Sequence, residues 1–203
     1  MKELSLHVLD HNSAGNAQAM LEAAQGTGVV IKPGLEVETR ETVHLVCLFD
    51  TPEQALSLQD VVYARLPSFP RAAAERSFGS QVLVDRQGLL LGYEHRPLFA
   101  ATDLSLTEVA QAARDRGGLV LAAHVERRAH GLLGVLGFPP PDLELDGMEA
   151  GPGALLEGRV ASSDAHRLVE IGSRYTLFEA EGTSVAELRE SLRRGAFRSG
   201  MAV

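Results

Sequence analysis

Histidines and carboxylates follow several short apolar runs of this 203-residue chain, at points where strands would end. Asp10-His11 follows the run at 6–9, and Glu36 follows the run at 29–31 and a Pro-Gly pair. His44 opens the next apolar run. His124 directly follows Leu119–Ala123. Because active sites of parallel α/β folds form at the carboxyl ends of strands, these side chains are expected to meet.

A further pair, Asp164 and His166, has the alternate spacing that points two side chains the same way on an extended segment. Imidazoles and carboxylates without thiolates suit Zn, Mn or Fe(II). Ligands from several strands can hold more than one ion, and paired ions suit phosphoester hydrolysis because they bind the phosphate and lower the pKa of a bound water. The residue types therefore predict metal-assisted hydrolysis.

The elements that would position these residues alternate between strands and helices. Thr51, Ser105 and Ser184 each begin a capping-box pattern, and Ser13 is expected to cap an earlier helix over residues 14–24. The expected strands are listed by residue number: 4–8, 28–31 (ending at Pro33-Gly34), 43–49, 81–84, 89–93, 119–123, 148–150, 160–161 and 175–179. This alternation favours one α/β domain over residues 1–203 with a mainly parallel sheet.

The composition narrows the class of protein. The formal charge of −8 argues against a general binder of extended nucleic acid. Apolar runs are too short for a membrane span, the first residues lack the apolar segment of a secretory signal, and a single cysteine fits the cytoplasm. We therefore expect a cytoplasmic protein that binds neither a membrane nor extended nucleic acid.

Four motifs, in this order, resemble the PHP (polymerase and histidinol phosphatase) superfamily, and the chain looks most like its stand-alone bacterial members. They are Asp10-His11-Asn12-Ser13, Pro33-Gly34-Leu35-Glu36 with Thr39–Leu45, Ala123–Arg127, and Ser162–His166. The resemblance implies a distorted (β/α)7 barrel and a cluster of two or three divalent ions that hydrolyses a small phosphoester such as a nucleotide. It implies these metal ligands: His11, Glu36, His44, His124, Asp164 and His166. Beside them, Arg127, Asn12 and Arg40 would contact the substrate, since a guanidinium matches phosphate oxygens.

The chain departs from this family at its start, where a strand carrying His-x-His is expected. Here His7 is present but Leu9 stands in the second histidine position. Either Leu6-His7-Val8 is a remnant of that strand joined directly to the next motif, or the first β-α unit is absent and His7 is incidental. The barrel would then be truncated at its N-terminus, with an edge that another segment or a second subunit must cover.

Two functions follow from these observations. The first is a metal-dependent phosphoesterase, and the alternative is a catalytically degenerate binding or regulatory module of the same fold. Glu38 and Glu41 are expected to face solvent, and His95 and His130 are not expected to bind metal.

Overall fold

A computed structural model describes residues 3–70, 75–76, 79–151, 153–154 and 158–202. Its strands are β1 (Leu4–His11), β2 (Val29–Glu38), β3 (His44–Leu48), β4 (Gln81–Val84), β5 (Leu90–Glu94), β6 (Leu119–Ala122), β7 (Gly147–Met148), β8 (Arg174–Phe178) and β9 (Phe197–Met201). Its helices are α1 (Ala17–Ala23), α2 (Pro52–Tyr63), α3 (Leu106–Arg114), α4 (Leu132–Leu136) and α5 (Val185–Arg193), with a 3-10 turn at Leu168–Glu170.

The main sheet has five strands in the order β1-β2-β3-β6-β7. The outer pairs β1–β2 and β6–β7 are parallel, whereas β3 runs antiparallel to both β2 and β6. The protein is therefore a mixed α/β fold, and the expectation of a mainly parallel sheet is only partly met. Over the described ranges this sheet is open, so the distorted (β/α)7 barrel is not confirmed.

Strand β2 continues through Pro33-Gly34, where the sequence predicts that it ends. The carbonyl of Pro33 accepts a 2.9 Å hydrogen bond from the backbone N–H of Phe49. The N–H and C=O of one residue in an antiparallel strand point to the same side, so an N–H at position 33 would point toward β3, as the carbonyl does. The last β2–β3 pair is Gly34 with Leu48, so the N–H that Pro33 lacks would lie just outside the paired part of the two strands. Gly34 is required by packing, because a Cβ there would lie 2.4 Å from the carbonyl oxygen of Cys47.

The continuation of β2 gives the sheet two chemically different faces. Leu35 and Val37 are fully buried against the helical layer of α1, α2 and α3. Glu36 and Glu38 alternate with them and therefore lie on the opposite face. Away from these two carboxylates the same face is apolar, because Val46 and neighbouring residues of β3 and β6 pack there against α5. The carboxylates thus stand at one end of an otherwise apolar face.

The helix starts follow the capping-box predictions in three cases. The side chains of Thr51, Ser105 and Ser184 each accept from the backbone N–H three residues on, and the reciprocal bonds are present. The Ser13 prediction is wrong, because α1 begins at Ala17 and has no side-chain cap. The Ser13 hydroxyl instead contacts the side chain of Tyr63 at 2.9 Å, which ties the loop to α2.

Two short antiparallel hairpins complete the fold, β4–β5 as the sequence predicts and β8–β9, whose second strand it does not predict. The central strand β3 carries Cys47, which is fully buried, and burial raises the pKa of its thiol to about 12. None of the helices in the described ranges combines the length and apolar character that a membrane crossing requires.

Candidate metal centre

The imidazoles and carboxylates of the predicted site meet at one end of the main sheet. His11 ends β1, Glu36 lies near the end of β2, and His124 follows β6. His44 reaches the same place from the other direction, since it opens the antiparallel strand β3. In register, His11 pairs with Glu36, and His44 pairs with Glu38. Neighbouring strands therefore present these side chains at adjoining positions.

Glu36 lies at the centre of this cluster. One of its carboxylate oxygens is 3.1 Å from His11 Nδ1. The other is 3.2 Å from His44 Nδ1 and 3.4 Å from His124 Nε2. Three imidazoles from three different strand ends thus surround a single carboxylate.

Burial alone would raise the pKa of Glu36 and lower that of His44. Contacts with the imidazoles of His11, His124 and His44 outweigh burial for Glu36 and hold the pKa of this carboxyl well below its usual range. Likewise, Glu36 and Glu38 raise the pKa of His44 to about 9. The cluster therefore keeps a carboxylate ionised in a buried setting, which is the form that binds a cation.

Glu38 and His130 belong to this region, contrary to expectation. The Glu38 side chain is only 12% exposed, and its oxygens lie 3.4 Å from His130 Nδ1 and 3.8 Å from His44 Nε2. The rings of His44 and His130 stack at 4.4 Å. The solvent-facing assignment of Glu38 is wrong because β2 does not stop at Pro33, so Glu38 shares a face with Glu36. That alternation is the signal from which it could have been found.

Several buried ring nitrogens of the cluster have no aligned hydrogen-bond donor or acceptor among the described residues. They are both nitrogens of His44 and the Nδ1 atoms of His124 and His130. Buried polar atoms are nearly always satisfied in folded proteins, so such a group requires an explanation. A divalent cation supplies one, since ligand atoms of His11, Glu36 and His44 all lie within 4.8 Å of one another. These donors fit a metal ion.

Asp164 and His166 are not brought into direct contact with Glu36 and its imidazoles. The Asp164 carboxylate accepts a 3.1 Å hydrogen bond from Arg127. The His166 side chain is 70% exposed, and its Nδ1 lies 2.9 Å from the carbonyl oxygen of Asp164. Asp164 has a φ of 46°, which is uncommon for a residue other than glycine. Their metal-binding role stays a prediction.

Asn12 and Arg40, whose contact with the substrate stays a prediction, have protein partners in the described residues. The buried Asn12 amide donates to the carbonyls of Leu98 and Ala100, each at 2.9 Å, and accepts from the backbone N–H of Glu38. Asn12 thus holds the end of β2 in place. Arg40 is 56% exposed and pairs weakly with the side chain of Asp103 at 3.9 Å.

A further carboxylate near the site, Glu149, is not among the predicted site residues. It follows β7 and is 5% exposed. Burial raises the pKa of Glu149, with a contact from the Ser162 hydroxyl opposing the shift. Its position directly after a short apolar strand is the same signal that identified His124. Glu149 therefore adds a buried carboxyl with a raised pKa near His124.

His7 lies in the same strand as His11, four residues earlier. At about 3.3 Å per residue the two are about 13 Å apart along the strand, so His7 lies outside the cluster. Burial and the charge of Lys32 lower the pKa of His7 to about 4. Leu6-His7-Val8 and Asp10-His11 lie in the same strand, β1.

Comparisons with known proteins match part of the chain to one family model and its fold to several solved structures. Residues 159–197 match the family model PHP_C, described as PHP-associated. No curated protein sequence matches the chain. The fold is similar to that of the lesion-specific endonuclease PfuEndoQ from Pyrococcus furiosus, with a TM-score of 0.57 and 18% identity over 84% of this chain and 40% of that one.

Two further solved structures are similar. A structure of Endonuclease Q in complex with a 27-mer duplex substrate, with an abasic lesion at the active site, has a TM-score of 0.54 and 19% identity over 82% of this chain and 39% of that one. PsfC from Pseudomonas syringae PB-5123 has a TM-score of 0.51 and 14% identity over 98% of this chain and 77% of that one. The chain thus spans only about two fifths of the length of the endonucleases that it resembles.

These findings confirm the resemblance to the PHP superfamily and correct one expectation drawn from it. A small phosphorylated partner is what the resemblance implies, and the net charge argues against extended nucleic acid. Endonuclease Q, which is similar in fold over 39% of its own chain, forms a complex with a 27-mer duplex substrate, and this finding overturns that expectation. Net charge averages over the whole surface and therefore says little about one local binding site.

Proposed function

We propose that this protein, which carries a PHP-superfamily domain, is a metal-dependent phosphoesterase of the nuclease type that cleaves a phosphodiester of nucleic acid. The observation that carries the proposal is the Glu36 carboxylate within 3.4 Å of three imidazole nitrogens from His11, His44 and His124. Such a buried set of nitrogen and oxygen donors at a sheet end suits a divalent cation.

Within this proposal, His11, Glu36, His44 and His124 hold the metal, while Asp164 and His166 lie on a neighbouring loop as further ligands. The ion is Zn, Mn or Fe(II), each of which accepts imidazole and carboxylate donors. When bound, it supplies Lewis acidity toward a phosphoryl oxygen and lowers the pKa of water. Asn12 positions the strand end that carries Glu36 and Glu38 through its three hydrogen bonds.

Arg127 is proposed to bind the phosphate. Its side chain is 45% exposed and makes one hydrogen bond to Asp164 within the described part of the chain. A guanidinium has five N–H groups, so most of its donors remain for phosphate oxygens. Arg127 lies three residues after His124, a proposed metal ligand. The backbone N–H of Arg127 donates a 2.9 Å hydrogen bond to the carbonyl of His124, which keeps the two residues close together.

The substrate class is supported by the fold likeness to Endonuclease Q, together with this arginine. A charge of −8 is compatible with it if binding is local, with few phosphates contacted. If the protein contacts only a few phosphates of the nucleic acid, its binding constant should depend only weakly on salt concentration. Each neutralised phosphate makes the fall of the binding constant with salt steeper.

The proposal is tested by incubating metal-free protein with labelled oligonucleotides after addition of Mn²⁺, Zn²⁺ or Fe²⁺. A single strand, an intact 27-mer duplex and the same duplex with an abasic site separate the substrate classes. We expect cleavage that requires metal, stops with a chelator and falls at least 100-fold in Glu36→Gln. As a matched control, Glu181→Gln removes an exposed carboxylate and keeps wild-type cleavage.

Two results would contradict the proposal. Cleavage that persists in Glu36→Gln at the wild-type rate would assign the activity to another site or to a contaminant. Binding of these oligonucleotides without cleavage under any of the three metals would make the protein a binding module instead.

A further inference from the structure

We propose that Glu38, His44 and His130 form a second divalent-cation site beside the one centred on Glu36. The three residues come from the end of β2, the start of β3 and the loop before α4. One ligand atom from each lies within 4.8 Å of the other two. The inference depends on this geometry and does not require that the protein cleave nucleic acid.

The contacts within this trio are those of ligands around a common centre. Glu38 directs one oxygen to His130 Nδ1 at 3.4 Å and the other to His44 Nε2 at 3.8 Å. The two rings lie face to face at 4.4 Å with an interplanar angle of 20°.

His44 provides the second, independent observation. It is 5% exposed, and neither of its ring nitrogens has an aligned hydrogen-bond partner in the described residues. Nδ1 faces Glu36 at 3.2 Å, and Nε2 faces Glu38. A buried imidazole with two unsatisfied nitrogens, each turned to a different carboxylate, is explained if each nitrogen faces its own cation site, with the last ring proton released to solvent when the second cation binds.

The backbone holds His130 in this position. Its carbonyl accepts a 2.9 Å hydrogen bond from the N–H of His44, so the two residues are joined through main chain as well as by ring stacking. His130 has a φ of 65°, a conformation that costs a residue with a Cβ free energy. The ring is thereby fixed over His44 before any cation arrives, which lowers the cost of binding.

A shared imidazole has a consequence that separates this proposal from a single site. Loss of His130 or Glu38 affects only the second site, and loss of His11 or Glu36 affects only the first. Loss of His44 weakens both. Nitrogen and carboxylate donors suit the borderline ions, so Co²⁺ is a suitable spectroscopic probe for either site.

The test is a Co²⁺ titration of metal-free protein, followed by visible absorption and calorimetry. The wild type is expected to bind two equivalents. His130→Asn and Glu38→Gln each lose one equivalent or weaken it at least about 10-fold, His11→Asn loses the other, and His44→Asn weakens both. Asparagine tolerates positive φ, so His130→Asn removes the imidazole with little backbone penalty.

The control is His95→Asn, which alters an exposed imidazole that belongs to neither trio. Circular dichroism and the unfolding temperature of each variant exclude loss of fold. The proposal is overturned if the wild type binds one Co²⁺, or if His130→Asn and Glu38→Gln both bind as the wild type does. A single remaining site held by Glu36 and His11 would leave the proposed hydrolytic function intact and remove only this inference.

Discussion

The replacement Glu36→Gln tests the central arrangement most directly. It keeps the size of the side chain but removes the charge that faces the three imidazoles at 3.1–3.4 Å. An amide presents one weaker oxygen donor and an NH2 group that a cation does not accept as a ligand. We therefore expect the variant to fold and to lose most of its affinity for the first cation.

The size of the effect follows from linkage between binding and folding. Replacing residues that hydrogen-bond to metal ligands already reduces metal affinity about 10–100-fold, so loss of a ligand carboxylate should reduce it at least about 100-fold. At a free metal concentration about 100 times the wild-type Kd, bound metal stabilises the wild type by about 2.7 kcal/mol and the variant by only about 0.4 kcal/mol. The difference of about 2.3 kcal/mol corresponds to about 5–9 °C in Tm for a chain of this size.

The assay is thermal unfolding of the wild type, Glu36→Gln and the exposed-site control Glu181→Gln, each with a chelator and with Zn²⁺ at one fixed free concentration. The control should show the full metal-induced rise in Tm. If Glu36→Gln shows the same rise as the wild type, its carboxylate is not a ligand, and the reasoning from the three short contacts fails.

Three further predictions concern stability and substrate binding. Burial lowers the pKa of His7 to about 4 in the folded state. Between pH 6.5 and 4 the unfolded chain therefore binds a proton at His7 that the folded chain does not, and the free energy of unfolding should fall by up to about 3 kcal/mol over this range. His7→Gln should flatten this fall in urea titrations, and an unchanged pH profile would argue against it. Gly34→Ala would place a methyl group 2.4 Å from a β3 carbonyl oxygen and should cost about 1–3 kcal/mol in urea unfolding. Gly92→Ala, with open space around the added carbon, should leave stability unchanged or raise it by up to about 1 kcal/mol, because glycine weakens a strand relative to alanine, and equal losses at both positions would count against the packing argument. Arg127→Gln should change stability by less than about 1 kcal/mol, because its ion pair is partly exposed, yet reduce kcat/KM for oligonucleotide cleavage about 10–100-fold. Unchanged kcat/KM would remove Arg127 from the site.

Much of the fold follows from local sequence signals. Three capping boxes begin helices where Thr51, Ser105 and Ser184 stand, because each satisfies backbone groups within a few residues of itself. The burial of β3 and β6 follows from their continuous apolar runs. These features depend on neighbours in sequence and can be predicted without tertiary contacts.

The parts that sequence reasoning missed depend on contacts between distant segments. Pro33-Gly34 is a turn signal on local grounds, yet it stays in β2 because the backbone of Cys47 approaches Gly34 closely. That one error hid the shared face of Glu36 and Glu38, and with it the trio that includes His130. Strand β9 has little apolar alternation, and it forms through pairing with β8.

The candidate site shows the same division. The strand-end positions of His11, Glu36, His44 and His124 were predicted from apolar runs and family motifs, and the structure brings these four together. Asp164 and His166 lie on a loop outside the strands, where sequence spacing does not determine the path of the chain. Their side chains are placed by contacts such as that with Arg127, which the sequence does not reveal.

Cys47 is the chain's sole cysteine, so its reaction with a thiol reagent measures how often the sheet around it opens. The thiol lies in the middle strand of the sheet, fully enclosed, with a pKa of about 12. Alkylating reagents attack the thiolate, so labelling must wait until the sheet opens and water reaches the sulfur. His44 lies three residues earlier on this strand. If added cations bind at His44 and stabilise β3, Cys47 should be labelled more slowly, so cation binding can be followed without introducing a chromophore.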